Sequence, residues 1–300
     1  MRLLFITATR IGDAVMSTGV LNALIQENPG LRVTVACGPL AESVFASVPG
    51  LDRVIVVDKK PLGRHWIALW RETRNTRWDI VVDLRRSLMP WCVRAGRRLR
   101  LQRDDRTVHR VPFLSALIGA DPPAAPHLWV TAGHVAYADR FLAGLERPVA
   151  IGPVAARPEK TWPKDRFVAL ARALTGKGGR LAGSPIVLIG AEGDRPVIDA
   201  MRRELQDVGG SDLIGCHDLM AVAAVLRRSA VTVVNDSGLA HLSAAAGCPT
   251  VTLFGPTRPD LYRPWGDQVV AVQAPESESG RNMAGLSLDT VENAVVELLA

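Results

Sequence analysis

Cysteine is scarce in this chain: four residues, Cys37, Cys92, Cys216 and Cys248, stand far apart in a length of 300. With no Cys-x-x-Cys pair and no paired histidines nearby, they make neither a disulfide framework nor a zinc site, and a reducing cytoplasm is the expected setting. Long hydrophobic runs are missing too. No stretch approaches the ~20 apolar residues of a membrane-spanning helix. The apolar start, Leu3 to Ile6, is too short for a signal peptide and no small-residue cleavage site precedes Arg10 and Asp13, so it reads as a buried first strand. None of the six histidines pairs at metal-ligand spacing, and no Gly-x-Ser-x-Gly nucleophile segment occurs. Neither a metal, another cofactor nor a covalent intermediate is expected. Fixed-period repeats and low-complexity tracts are also absent.

What the chain does hold is enough apolar material for a core, 48% hydrophobic against 22% charged residues, as in folded globular domains. Short β-rich apolar runs at 3–7, 32–37, 54–57 and 80–83, and again at 149–152, 186–190, 231–235, 250–254 and 269–272, alternate with helical patterns. The helical segments include 12–26, 167–175, 197–206 and 220–228. This alternation predicts βαβ units and parallel sheets with helices on both faces. The Pro-rich stretch from Asp121 to Pro126 and the turn at Arg147-Pro148 bracket a boundary. Two Rossmann-like domains follow, 1–147 and 148–300, facing each other across a cleft, with a last helix at 288–299 placed to lie back on the first.

Charge is unevenly divided. Residues 1–149 carry 21 Lys/Arg against 13 Asp/Glu, while 150–300 carry 15 against 17. The first half therefore expects an anionic partner. Its densest run is Arg85, Arg86, Arg94, Arg97, Arg98, Arg100, Arg103, Arg106 and Arg110. Such forks grip phosphates and carboxylates; a solvated basic helix face is the plainer account.

Several segments carry chemistry. After the strand ending at Asn235, the turn Asp236-Ser237-Gly238 leads into a small-residue helix with Leu239 and His241 in its first turn. Helix amides and the macrodipole favour an anion there. An ordinary N-cap by Asp236 or Ser237 fits this segment as well, and His241 fits a structural role. The next strand runs into Gly255-Pro256-Thr257, so two consecutive strand ends carry small, hydroxyl-bearing loops where open α/β sheets bind ligands. After the first strand, Ile11-Gly12-Asp13 supplies no Gly-x-Gly-x-x-Gly fingerprint but puts one carboxylate at a helix start. Asp13 suits a general base or a helix-stabilising charge. Lys160, in Lys160-Thr161-Trp162-Pro163, projects beside the proposed phosphate turn. At the strand end Gly190-Ala191-Glu192-Gly193-Asp194, either acidic residue suits a ribose contact or a cap.

Taken in order, Ile11-Gly12-Asp13, Lys160-Thr-Trp162-Pro163 and Asn235-Asp236-Ser237-Gly238-Leu239-Ala240-His241 with Phe254-Gly255-Pro256-Thr257 resemble glycosyltransferase family 9, the bacterial heptosyltransferases of the lipopolysaccharide inner core. The resemblance implies a GT-B architecture, no metal, and inversion at the anomeric carbon of an ADP-heptose donor. It implies an anionic lipid-linked acceptor held by the first domain at the inner membrane face, where Gly12 and, from the basic run, Arg85, Arg86, Arg94 and Arg97 are the candidate contacts. Asp13 matches the base and Lys160 the donor-phosphate lysine. Asp236, Ser237, Gly238, Leu239 and His241 match the donor turn, with Gly255 and Thr257 beside it and Glu192 at the ribose.

Two other readings share the plan: a transferase using a UDP- or GDP-sugar, and a sugar-nucleotide epimerase or hydrolase. The basic first half argues against the latter, since a free sugar nucleotide needs no cationic acceptor surface. Arginines without interleaved aromatics or a recognised module argue against nucleic acid.

Overall fold

The short apolar start is a strand. β1 (Arg2–Ile6) buries Leu3 to Ile6 completely and is followed by α1 (Ile11–Glu27), β2 (Arg32–Cys37), α2 (Glu42–Phe45), β3 (Leu51–Val56), α3 (Arg64–Thr73), β4 (Arg77–Asp83), α4 (Met89–Cys92), β5 (Arg94–Arg100) and α5 (Arg110–Ser115). This computed structural model describes residues 1–102, 107–276 and 280–300; Arg103 and Arg106 of the arginine run lie outside them. The chain divides into two units, Met1–Trp129 and Val130–Ala300.

In the first unit the strands run parallel in the order β3-β2-β1-β4-β5. Parallel strands are buried on both faces, which is why β1, β2 and β4 read as apolar runs. β5 was not expected. Its sequence, Arg-Ala-Gly-Arg-Arg-Leu-Arg, has no apolar run because it is an edge strand, paired only with β4, and charged side chains are a usual feature of edges. Arg85 and Arg86 lie in the loop before it and Arg110 opens α5, so of the basic stretch Arg94, Arg97, Arg98 and Arg100 are on this strand rather than on a helix face. Two of its arginines hold the preceding segment: Arg98 Nε donates to the Pro90 carbonyl (2.8 Å) and Arg100 Nε to the Ser87 carbonyl (2.9 Å).

The second unit contains α6 (Ala132–Phe141), β6 (Val149–Gly152), α7 (Lys164–Thr175), β7 (Ile186–Gly190), α8 (Arg195–Glu204), β8 (Gly210–Ile214), α9 (Leu219–Leu226), β9 (Val231–Asn235), α10 (Gly238–Ala245), β10 (Thr250–Phe254), α11 (Pro259–Tyr262), β11 (Val269–Gln273) and α12 (Leu288–Leu298). Its parallel order is β11-β10-β9-β6-β7-β8. β8 escaped notice because only Leu213 and Ile214 are apolar in it. The unit starts ahead of the Arg147-Pro148 turn because α6 packs on α9. His134 Nε2 lies 3.2 Å from Asp218 Oδ2, and Arg228 pairs with Asp139. The terminal helix α12 lies on α7, β10 and β11 of its own unit, with Val291, Ala294 and Val295 buried there. Both units are thus α/β with one parallel sheet each. No helix among the described residues is long and apolar enough to cross a membrane.

Candidate active site

In each sheet the strand order reverses once, between β1 and β4 in the first unit and between β6 and β9 in the second. The crevice outside the carboxyl ends of such strands is where doubly wound sheets bind ligands.

At the β6/β9 reversal, Lys160 Nζ donates to Asp236 Oδ2 at 2.5 Å, with side chains only 15% and 9% exposed. Three neighbours bring them together. Asn235, fully buried at the end of β9, accepts the Trp162 N–H on Oδ1 (3.0 Å) and donates Nδ2 to the Pro153 carbonyl (2.8 Å). Trp162 is itself buried, edge-on to Phe167, with its indole N–H on the Leu286 carbonyl (2.9 Å). Gly255 follows β10, and a Cβ there would stand 2.8 Å from the Glu159 carbonyl oxygen. Only a glycine lets the Lys160 turn close in. Gly152 does the same for α10: a Cβ would sit 2.6 Å from Leu239 Cδ2.

The α10 N-terminus has room for an anion in its hydrogen bonding. Ser237 is extended and its side chain makes no capping hydrogen bond. The Asp236 N–H, however, donates to the Leu253 carbonyl (2.9 Å), so it extends the sheet and is not among the amides offered. Those of Ser237, Gly238 and Leu239 form the helix opening. The ammonium of Lys160 has three N–H donors, of which Asp236 takes one. His241 is buried in the first turn. Thr257 is half-buried beyond Gly255, its carbonyl accepting from Gln273 Nε2 (3.3 Å).

Glu192 and Asp194 have different partners. Asp194 Oδ2 accepts the Ala191 N–H (2.9 Å) and acts as a cap. Glu192 is exposed, paired with Arg195 at 2.6 and 2.7 Å, and that guanidinium holds its carboxyl below the usual range. It stands against the loop after β8, where a Cβ on Gly215 would lie 2.7 Å from Glu192 Oε2.

In the first unit Gly12 and Asp13 open α1, both partly exposed at the end of β1. Beside them in the sheet order, Asp83 ends β4 fully buried. Its Oδ1 accepts the Arg85 N–H (2.9 Å) and its Oδ2 the Ser87 hydroxyl (2.8 Å). Burial pushes its carboxyl up, against these hydrogen bonds and the nearby Arg100 charge. Arg85 stacks on Trp66, 4.8 Å from the ring centroid, and its buried Nη1 has no hydrogen-bond partner among the described residues. Arg86 is exposed beside it. The remaining two candidates separate from them. Arg97 is mid-strand opposite Ile80, and Arg94 pairs with Arg77 at the far end of β5, about 20 Å away at ~3.3 Å per residue. Arg100, opposite Asp83, is the arginine that reaches the Arg85–Arg86 loop, donating Nη2 to the Arg86 carbonyl (2.6 Å).

Sequence reasoning missed Asn235 and Trp162 as positioning residues and Asp83 altogether. An asparagine ending a β-branched strand was the available signal for the first. Asp83 looked like any strand-end carboxylate, and only its burial distinguishes it.

Two doubly wound parallel sheets, one with a helix N-terminus flanked by a lysine, make an arrangement suited to an anionic ligand, and likeness to known proteins supplies the class. The model of glycosyltransferase family 9 (heptosyltransferase) matches residues 95–287, and the chain belongs to that family. It is 25% identical to lipooligosaccharide heptosyltransferase 2 of Haemophilus ducreyi, over 91% of this chain and 88% of the relative. A family 9 glycosyl transferase from Veillonella parvula shares its fold at TM-score 0.81 and 22% identity, covering 99% of this chain and 97% of that one. The E. coli ADP-heptose LPS heptosyltransferase II does so at TM-score 0.78 and 20% identity, covering 100% and 98%.

Proposed function

We propose that the chain moves a heptose from ADP-heptose to an anionic, lipid-linked core glycan at the inner membrane face, with inversion and without a metal. The observation that carries this reading is the Lys160–Asp236 pair beside the α10 amides at the strand-order reversal. Likeness to the E. coli ADP-heptose LPS heptosyltransferase II supports the donor.

In this mechanism Asp13 takes the proton from the acceptor hydroxyl, whose oxygen attacks the anomeric carbon from the face opposite the diphosphate. The bond from that carbon to the diphosphate oxygen breaks, and ADP leaves with the electron pair. Negative charge growing on the leaving phosphate is met by Lys160 and by the N–H groups of Ser237, Gly238 and Leu239, a cation and dipoles held in place beforehand. Asp236 orients Lys160. Glu192 contacts the ribose, Gly255 and Thr257 border the diphosphate, and His241 packs behind the donor turn. On the acceptor side Gly12 leaves space beside Asp13, while Arg85 and Arg86 take anionic groups of the glycan, with Arg97 and Arg94 further along the edge.

Thermal melting with ADP, UDP, GDP and NAD in parallel tests the donor. A nucleotide at 100 times its Kd adds about 2.7 kcal/mol of stability, and ADP alone is expected to do so. Selective stabilisation by UDP or GDP replaces the donor, and silence with all four removes the donor site.

A further inference from the structure

We propose that the buried hydroxyl pair Thr7–Ser17 is a positioning device that sets where the Asp13 carboxylate stands, an inference that rests on Asp13 being the base of the function proposed above.

Asp13 sits in the first turn of α1, and that helix opens without help from a side chain: Arg10, at its N-cap, makes no capping hydrogen bond. Helix starts carry orphan amides and fray, so a carboxylate placed there needs another hold. It comes from below. Thr7 Oγ1 lies 2.8 Å from Ser17 Oγ, and Ser17 Oγ donates to the Ala14 carbonyl at 2.7 Å. A serine hydroxyl has one proton to give. Ser17 gives its proton to Ala14, so Thr7 is the donor within the pair. The chain of bonds therefore runs from the end of β1, through α1, to the residue that follows Asp13. Ala14 is held at its other end too, its N–H on the Arg10 carbonyl (3.0 Å), and Thr7 is fixed in the sheet by its N–H on the Ala36 carbonyl (2.8 Å).

A second contact closes the turn from the β2 side. The Gly38 N–H donates to the Ala8 carbonyl (3.2 Å), and a Cβ on Gly38 would stand 2.5 Å from Thr9 Cα. The partly exposed Asp13 thus ends a turn fixed at residues 7, 8, 9 and 14.

Stability alone gives little reason for the pair. Thr7 is fully buried and Ser17 is 1% exposed. A hydrogen-bonded pair in such a place holds little net advantage over two apolar groups of the same shape. What the hydroxyls add is direction, because a hydrogen bond has a preferred length and angle. Catalysis responds to direction: a misplacement of ~1 Å can cost about 10²-fold in rate.

The test follows ADP release by the full chain from ADP-heptose, with truncated lipopolysaccharides carrying no heptose or one heptose as acceptors. It compares wild type, Thr7→Val, Thr7→Ser, Asp13→Asn and the double variant Thr7→Val/Asp13→Asn. Valine keeps the shape of Thr7 without its hydroxyl, and serine keeps the hydroxyl. Thr7→Val is expected to lower kcat by about tenfold, a part of the ~10²–10⁴-fold that a general base contributes. Its KM and its stabilisation by ADP should match the wild type, Thr7→Ser should stay close to wild-type kcat, and Thr7→Val should add nothing to the loss in Asp13→Asn. Where Thr7→Val gives no melting transition, Thr7→Val/Ser17→Ala leaves neither hydroxyl without its partner and should show the same kcat loss. Wild-type kcat in Thr7→Val beside a strong loss in Asp13→Asn would overturn the proposal and leave the base standing. An equal loss in Thr7→Ser, or a full further loss in the Asp13→Asn background, would overturn it too. Near-normal turnover in Asp13→Asn would remove the base, and the proposal with it.

Discussion

In the second unit the charged groups at the strand reversal satisfy each other: Lys160 and Asp236 meet at 2.5 Å and are almost fully enclosed. In the first unit the buried carboxylate, Asp83, is met by a backbone N–H and a hydroxyl instead, while the arginines around it point outwards or stack on tryptophans. The balance of whole units follows suit. Met1–Trp129 holds 19 Lys/Arg against 11 Asp/Glu, and Val130–Ala300 holds 17 against 19. A near-neutral site with one ammonium and a helix opening suits a ligand of fixed, small size such as a diphosphate. A broad, unneutralised surface suits an extended anionic partner. Under the proposed function the same fold would serve two kinds of recognition, the difference lying in where the counter-charges sit.

The largest expected effect separates chemistry from binding across this comparison. Asp13→Asn in the first unit removes the base and should lower turnover by ~10²–10⁴-fold, with the ADP-induced melting shift of the second unit unaltered. Near-normal turnover would end the base assignment. Next, Lys160→Met removes the cation but keeps most of the side-chain volume. Transfer is expected to fall by ~10²–10³-fold, roughly 3–4 kcal/mol, and the ADP shift should shrink with it. An unchanged ADP shift would show that Lys160 serves Asp236 alone. The smallest effect lies in pH dependence. The Asp83 carboxyl is raised above its ordinary 3.8 by burial, so the folded state holds a proton that the unfolded chain releases. The stability tied to that proton is complete below about pH 3.8 and is lost as pH rises through the shifted value. Asp83→Asn cannot show this loss, so the melting temperature of the variant relative to wild type should climb across that interval. A difference that stays flat with pH would show that the Asp83 proton is not linked to folding.

Much of this was legible in the chain. Runs such as Val231–Asn235 and Thr250–Phe254 announce buried strands because a parallel sheet needs apolar side chains on both faces. The strand-turn-helix at Asp236 to Leu239 announces a helix start after a buried strand for an equally local reason. Edge strands β5 and β8 were hidden, since a strand with one neighbour can be charged or short of apolar residues and still pair.

Sequence by itself thus determined the two parallel sheets, the sign of charge in each half and the segments with reactive side chains, because these depend on local pattern and composition. Tertiary structure decided which of those side chains meet. Lys160 and Asp236 are 76 residues apart and touch only because Asn235, Trp162 and Gly255 fit around them. Arg94 and Arg100, six residues apart, are drawn to opposite ends of one extended strand. Proximity of that kind comes from packing and register, which no single segment encodes.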